Sequence, residues 1–366
     1  MDGGSLARRV WERRGPLGRL LWILVLPLSL FYSSVIRIRN FLYSTGWCPS
    51  RGLPCAVVSV GNLTVGGTGK TPTTLWLAEE LSQQGYRVAI LSRGYKGTGS
   101  GPRILEPGFA QGADSLSAGD EPVIMAQIYG QRVGVGKKRY DAANLVLRHT
   151  PIDVFLLDDG FQHRPLKRDL DLLLLGQEWS GWVIPAGPFR EPRSALSRAH
   201  LYLITGSREK WEAILARRGG TLETFCGCLE PKSLLTKEED GWRELPLALM
   251  SRAKVLAVSA IANPDSFYSM IQEWGGEIVD TKEFPDHHRY SIKDWQEISR
   301  ASHHAERIIT TEKDMVKLIQ FPFAKGSIFA LRVKMVVERG DALIRAVEKA
   351  IHSKKQSVGS GQPLDA

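Results

Sequence analysis

The stretch Ala56–Leu81, AVVSVGNLTVGGTGKTPTTLWLAEEL, constrains the fold of this chain more than any other. Val57, Val58 and Val60 read as a buried strand, a glycine-rich turn follows, and Lys70-Thr71 opens a helical pattern. Strand, glycine loop and helix in that order make a cradle for phosphate. The glycines let backbone N–H groups close on the anion and the helix start adds its positive end. Lys70 supplies a cation and Thr71 a hydroxyl for Mg²⁺. The usual spacing is G-x-x-x-x-G-K-[ST], and here its first glycine position is Thr64, although Gly61, Gly66, Gly67 and Gly69 remain. Thr64, Val65, Gly66, Gly67, Thr68, Gly69, Lys70 and Thr71 are the expected nucleotide-binding residues.

A chain of 366 residues is long for one domain, and 43% hydrophobic with 24% charged residues describes a folded protein with a large core. The net charge of +9 favours an anionic partner: nucleic acid, an acidic membrane surface or a phosphorylated substrate. No basic and aromatic stripe accompanies that charge, so nucleic acid is not expected as a partner. Cys48, Cys55, Cys226 and Cys228 form no C-x-x-C pair and read as reduced structural thiols.

Arg8, Arg9, Arg13, Arg14 and Arg19 precede an apolar run, Leu20–Tyr32, and Arg37 and Arg39 follow it. Thirteen residues of helix cover about 20 Å at ~1.5 Å each, short of the ~30 Å hydrocarbon layer, and Pro27 weakens a straight span. Tyr32-Ser33-Ser34-Val35 is a poor signal-peptide cleavage site. Basic flanks with Trp22, Phe31, Tyr32, Phe41, Tyr43 and Trp47 suit a helix lying in a membrane interface. The competing reading is an apolar helix packed on the protein's own core.

Beyond the phosphate loop, strands are expected at Tyr86–Leu91, Gln131–Gly136, Asp153–Leu157, Leu170–Leu175 and Leu201–Thr205, with a helix at Arg139–His149. The Gly-, Pro- and Ser-rich stretch 96–118 reads as loop, and Gly119-Asp120-Glu121-Pro122 opens a helix. Strands alternating with helices argue for a parallel sheet covered on both faces. Thr221–Leu249 changes character and reads as a pair of strands between domains. A second run of strands and helices starts at Lys254, and residues from Ser353 read as a disordered tail.

Phosphoryl transfer needs positioned phosphates, Mg²⁺ and an oriented nucleophile. Asp158-Asp159, at the end of an apolar strand, resemble a Walker B carboxylate facing the ligand crevice. Asp120 and Glu121 could complement a helix dipole, hold a metal or accept a hydroxyl proton. His163, His287 and His288 sit in polar, turn-rich contexts, and Arg93, Arg164 and Arg190 could hold phosphate oxygens. Thr236-Lys237-Glu238-Glu239 and Thr281-Lys282-Glu283-Phe284 both lack the last Asp of a guanine motif, which favours ATP.

Seven ordered blocks together resemble the tetraacyldisaccharide 4′-kinase family: GNLTVGGTGKTP (61–72), SRGY (92–95), GDEP (119–122), DDGFQH (158–163), PAGPFREP (185–192), FPDHH (284–288) and TEKD (311–314). Thr64 belongs to that pattern. The resemblance implies ATP-dependent phosphorylation of the 4′-hydroxyl of a tetraacyl glucosamine disaccharide 1-phosphate, at the cytoplasmic face of a Gram-negative inner membrane. Mg²⁺ would be the cofactor, the anionic disaccharide lipid and the membrane surface the partners, and a monomer the expected state. Lys70 would hold the β- and γ-phosphates, Asp120 would be the general base, and His287 (or His288) would orient it. Thr71, Glu121 and Asp159 would serve the metal. Asp158, Arg93, His163 and Arg190 are further substrate or phosphate contacts. The expected fold is an α/β, P-loop NTPase-like, mostly parallel sheet with helices on both faces, plus a second smaller α/β domain. Segments 1–45, 46–220, 221–250, 251–352 and 353–366 would be membrane-interface helix, kinase domain, two-stranded linker, second domain and tail. A membrane-associated P-loop ATPase switch is the alternative; it would not need GDEP and DHH together.

Overall fold

A computed structural model describes residues 7, 9–95, 97–108, 118–217, 223–261, 264–286 and 288–359. The chain opens on a long helix, α1 (Gly15–Ser44), followed by β1 (Ala56–Asn62), α2 (Lys70–Gln83) and β2 (Val88–Ser92). Next come β3 (Arg103–Leu105), α3 (Asp120–Gln127), β4 (Val133–Val135), α4 (Arg139–His149), β5 (Val154–Asp158), β6 (Leu170–Leu175), β7 (Leu201–Ile204) and α5 (Arg208–Ala216). The second half holds β8 (Thr224–Glu238), β9 (Gly241–Leu245), β10 (Lys254–Ser259), α6 (Asp265–Glu273), β11 (Glu277–Glu283), α7 (Ile292–Ala301), β12 (Arg307–Thr311), α8 (Glu312–Leu318), β13 (Ile328–Val337) and α9 (Gly340–Gly359).

The strands run in one continuous sheet in the order β11-β10-β12-β13-β8-β7-β6-β1-β5-β2-β4-β3, with β9 beside β8. Within each half the central pairings are parallel, as buried β-branched and leucine-rich runs require when helices cover both faces. β1, β5 and β6 are buried throughout. One face of the first half packs Val58, Leu172 and Leu174 against Leu77, Ala78 and Leu81 of α2. Each such leucine contributes about 1.5–3 kcal/mol by leaving water. The other face packs Val57, Phe155 and Leu157 against Ala142, Ala143 and Val146 of α4. The second half has its own two cores, on either side of β10 and β12.

The structure departs from expectation in four places. The apolar N-terminal run belongs to a helix of 30 residues, about 45 Å long, with Pro27 inside it; apolar stretches alone understate a helix whose polar ends continue it. β3 interrupts the stretch read as loop, pairing antiparallel with β4, while residues 96 and 109–117 lie outside the described residues. The pair of strands expected in 221–250 is present as β8 and β9, but β8 has further partners: it follows β7 in parallel at one end and pairs antiparallel with β13, about a hundred residues downstream, at the other. Strand pairing across such a separation leaves no local trace. The expected tail is helical as far as Gly359, and α9 returns to the first half, where Leu343, Ile344, Val347 and Ile351 join the core of β1 and α2.

One long face of α1 rests on the loop 183–191. Trp22 donates to the Ala186 carbonyl at 3.1 Å, Ser29 to Val183 at 2.7 Å and Tyr32 to Arg190 at 3.1 Å. Asn40 donates to the buried Glu191 carboxylate at 2.7 Å, which Arg39 and Arg198 also hold. The opposite face leaves Leu17, Leu20, Ile23, Leu24, Leu28 and Phe31 exposed. By length and composition α1 is the one helix among the described residues that could cross a membrane.

Candidate active site

Gly61 lies near the end of β1, where a Cβ would lie 2.6 Å from that of Phe161, so only glycine admits the loop that follows Asp159. Gly66 and Gly69 take left-handed backbone at φ 110° and 81°, and Gly69 forms the N-cap of α2. The loop between them is fastened from outside. Val65 N–H donates to Pro188 O at 2.8 Å, and Thr205 Oγ1 donates to Thr68 O at 3.0 Å. Asn62 Nδ2 donates to Thr68 Oγ1 at 3.0 Å. Thr64 is buried, its backbone bridges to that of Phe189, and its hydroxyl accepts from Asn62 Nδ2 at 3.5 Å. Lys70 Nζ lies 3.4 Å from Gly66 O and 3.7 Å from Asp159 Oδ1. Burial pulls its amine below the usual lysine range, against the attraction of Asp159.

β5 delivers the two aspartates to the same edge. Thr71 donates to Asp158 Oδ2 at 3.2 Å and Thr74 to Oδ1 at 3.3 Å. Burial raises the Asp158 carboxyl well above the carboxylate range, and Glu121 and Asp159 add to it. Asp159 takes φ 52°, which swings its carboxylate away from Thr71. Both its oxygens accept from Arg190 Nη1 at 2.8 Å. Burial pushes Asp159 up, but Lys70 and Arg190 more than offset it and hold it ionised below its ordinary value.

Asp120 and Glu121 stand in the first turn of α3, after Gly119 at φ 90°. Across the gap between the halves, α8 brings two lysines to them: Lys313 Nζ is 2.6 Å from Glu121 Oε1 and Lys317 Nζ is 3.5 Å from Asp120 Oδ2. His287 lies outside the described residues. His288 places Nε2 3.1 Å from Asp294 Oδ2 and stacks on Phe284 at 4.9 Å between ring centroids. Asp294 is also the acid of the capping box that starts α7, so His288 is committed to the loop's own structure.

Arg93 is exposed just past β2. His163, on the turn after Asp159, is pulled down to about 4 by burial and by Arg139, Arg168 and Arg93, and so is neutral at pH 7. Arg139 is buried at the start of α4 with Nε unpartnered; burial lowers it to about 10, against the pull of Asp159. Neither Arg139 nor the lysines of α8 stand out in sequence. The i,i+4 spacing of Lys313, inside the TEKD block, and Lys317 is the signal that the sequence offers.

Mg²⁺ keeps waters and takes one or two protein oxygens together with substrate phosphates. Thr71 Oγ1 and Asp158 Oδ2, adjacent at the loop's edge, fit that demand. Of the expected trio, Thr71 donates to Asp158, whose carboxyl both Glu121 and Asp159 push up, while Arg190 and Lys70 pair with Asp159 and Lys313 pairs with Glu121. Among the described residues, no three His, Cys, Asp or Glu side chains are grouped as a metal cage.

The chain is similar to known proteins over most of its length. The tetraacyldisaccharide-1-P 4′-kinase family matches residues 21–352. The chain is 39% identical over 344 residues to the tetraacyldisaccharide 4′-kinase of Syntrophus aciditrophicus, covering 87% of this chain and 90% of that one. It is 40% identical over 315 residues to the enzyme of that name from Pelobacter propionicus, covering 84% and 86%. The crystal structure of LpxK from Aquifex aeolicus in complex with ATP is similar at a TM-score of 0.76 and 34% identity, over 90% of this chain and 99% of that one. A family match over nearly the whole chain, with relatives about 40% identical and a solved structure of the same architecture, shows that the protein belongs to the tetraacyldisaccharide 4′-kinase family.

Proposed function

We propose that the protein transfers the γ-phosphate of ATP to the 4′-hydroxyl of a tetraacyl disaccharide 1-phosphate at the surface of a membrane. The reading rests above all on the loop 183–191, which touches α1 on one side through Ser29 and Tyr32, and Asp159 on the other through Arg190. A helix with an exposed apolar face and a phosphate-holding site thereby share one short loop. That is the arrangement a lipid acceptor requires, because its acyl chains stay in the bilayer while its sugar hydroxyl meets the nucleotide. α1 is held at Trp22 and again at Asn40, which favours a helix lying along the protein in one leaflet, on the cytoplasmic side where ATP is found.

Each side chain then has a task. Lys70 leaves Gly66 O for the β- and γ-phosphates, with the N-terminus of α2 behind it. Thr71 and Asp158 would hold Mg²⁺, which when bound would supply charge neutralisation at the phosphates. Arg190 keeps Asp159 beside Lys70. Asp120 accepts the proton of the 4′-hydroxyl and His287 orients it, His288 being engaged with Asp294. The protein acts as a monomer.

The test is full-length protein with γ-labelled ATP and the disaccharide lipid in mixed micelles. Labelled lipid is expected, with kcat of Asp120→Ala lower by about 10²–10⁴. ATP hydrolysis without labelled lipid would favour a membrane-bound ATPase switch, and wild-type turnover by Asp120→Ala would remove that residue from the base role.

A further inference from the structure

We propose that Lys317, with Lys313 beside it, is a positioning residue for the Asp120–Glu121 pair, so that the second half of the chain completes the catalytic carboxylates of the first. The two lysines are four residues apart on α8 and share one face of it, and that face packs on α3. Each reaches one carboxylate: Lys313 Nζ to Glu121 Oε1 at 2.6 Å, Lys317 Nζ to Asp120 Oδ2 at 3.5 Å.

Lys317 is not a surface lysine that happens to lie nearby. Its side chain is 13% exposed, and its ammonium also meets Asp314 Oδ1 and the His288 carbonyl, both at 3.2 Å. Asp314 is fully buried and fixed in turn: its Oδ2 accepts from Ala260 N–H at 2.9 Å and from Thr311 Oγ1 at 2.7 Å. Tyr290 faces the ammonium at 5.6 Å. A lysine with four rotatable bonds is thus immobilised by the second half before it contacts the first. This gives the TEKD block a purpose: Thr311 caps α8, Asp314 braces Lys317, and Lys313 takes Glu121. An ammonium in this place restricts where the Asp120 carboxylate can sit relative to an acceptor hydroxyl, and a displacement of about 1 Å there costs up to ~100-fold in rate.

The inference rests on the proposed lipid phosphorylation, and steady-state kinetics on full-length protein test both. Lys317→Met is expected to lower kcat by about tenfold to hundredfold with KM for ATP and for lipid unchanged. Lys317→Arg, which restores the cation, recovers most of the loss. Lys313→Met, at a more exposed position where folding is not at risk, lowers kcat in the same direction. Lys325→Met, at an exposed pair with Glu239, is the control and leaves turnover unchanged. Labelled lipid formed at equal kcat by wild type and folded Lys313→Met and Lys317→Met overturns the positioning role alone. Loss in Lys317→Met that tracks only its unfolded fraction, with arginine giving no rescue, does the same. Absence of labelled lipid from wild type overturns the activity and this role with it.

Discussion

The hydroxyl of Thr71 donates to Asp158 across 3.2 Å, tying the first turn of the phosphate-loop helix to the end of the neighbouring strand. The second aspartate, one residue on, points elsewhere because its backbone is left-handed, and Arg190 holds it there. The two adjacent carboxylates are therefore held differently: one by the hydroxyls of Thr71 and Thr74, the other by Arg190 and Lys70.

Asp158→Asn keeps the shape and an acceptor for Thr71 while removing the charge a metal needs. Turnover is expected to fall by about a hundredfold or more at saturating ATP and Mg²⁺, several kcal/mol of charge stabilisation being lost. Asp159→Asn is expected to act on ATP instead, raising its KM, since that carboxylate attends Lys70. Steady-state kinetics in ATP and in Mg²⁺ check the division; equal effects of both variants on kcat would show that the two aspartates are interchangeable.

The exposed face of α1 offers a direct measurement. Leu24 and Leu28 are 62% and 60% exposed, on the side of the helix turned from the body. Leu24→Glu with Leu28→Glu is expected to weaken cosedimentation with anionic vesicles by at least about tenfold, each change forfeiting about 2 kcal/mol of apolar burial. Thermal unfolding in detergent should stay the same, because neither side chain packs on the protein. Undiminished vesicle binding would move the membrane contact to another surface.

A third prediction concerns the seam between the halves. Glu312 on α8 accepts from the Tyr129 hydroxyl at 3.0 and 3.1 Å, beside Arg332, whose guanidinium lies 4.3 Å from the Tyr129 ring. Burial raises Glu312 from the ordinary 4.5 to about 7, against the pull of Arg332. A carboxyl raised in the folded state binds its proton more tightly there than when unfolded. Stability is therefore highest below the unfolded value, is lost as pH rises from about 4.5 to about 7, and is level above that. A tenfold difference in proton affinity between the two states is worth about 1.4 kcal/mol, so a few kcal/mol at most are involved. Glu312→Gln lacks this dependence. Chemical denaturation across pH should show the wild type losing stability relative to Glu312→Gln over that window; parallel curves would mean that Glu312 titrates normally.

The parts of the site set by local chemistry could be read from sequence. The phosphate loop, Lys70-Thr71 and the acids at the end of β5 follow from a strand, a glycine turn and a helix in order. α4 and β6 run over the very residues their apolar periodicity suggests. The rest depends on contacts between distant residues. Asp158 and Asp159 look equivalent until φ 52° separates them. Lys313 and Lys317 are ordinary helix residues until α8 meets α3, almost two hundred residues away in sequence. β8 announces a strand but not its partner, and the polar composition after Ser353 reads as tail although residues 353–359 are the last turns of α9.

The return of α9 to the first half has a consequence during synthesis. Residues 224–337, from β8 through β13, come off the ribosome before Leu343, Val347 and Ile351 exist to cover β1 and α2. Until then the side of the nucleotide fold beneath Leu77 and Leu81 stays open to water. The strand and helix that flank the phosphate loop therefore gain their full cover only after residue 351 has emerged from the ribosome.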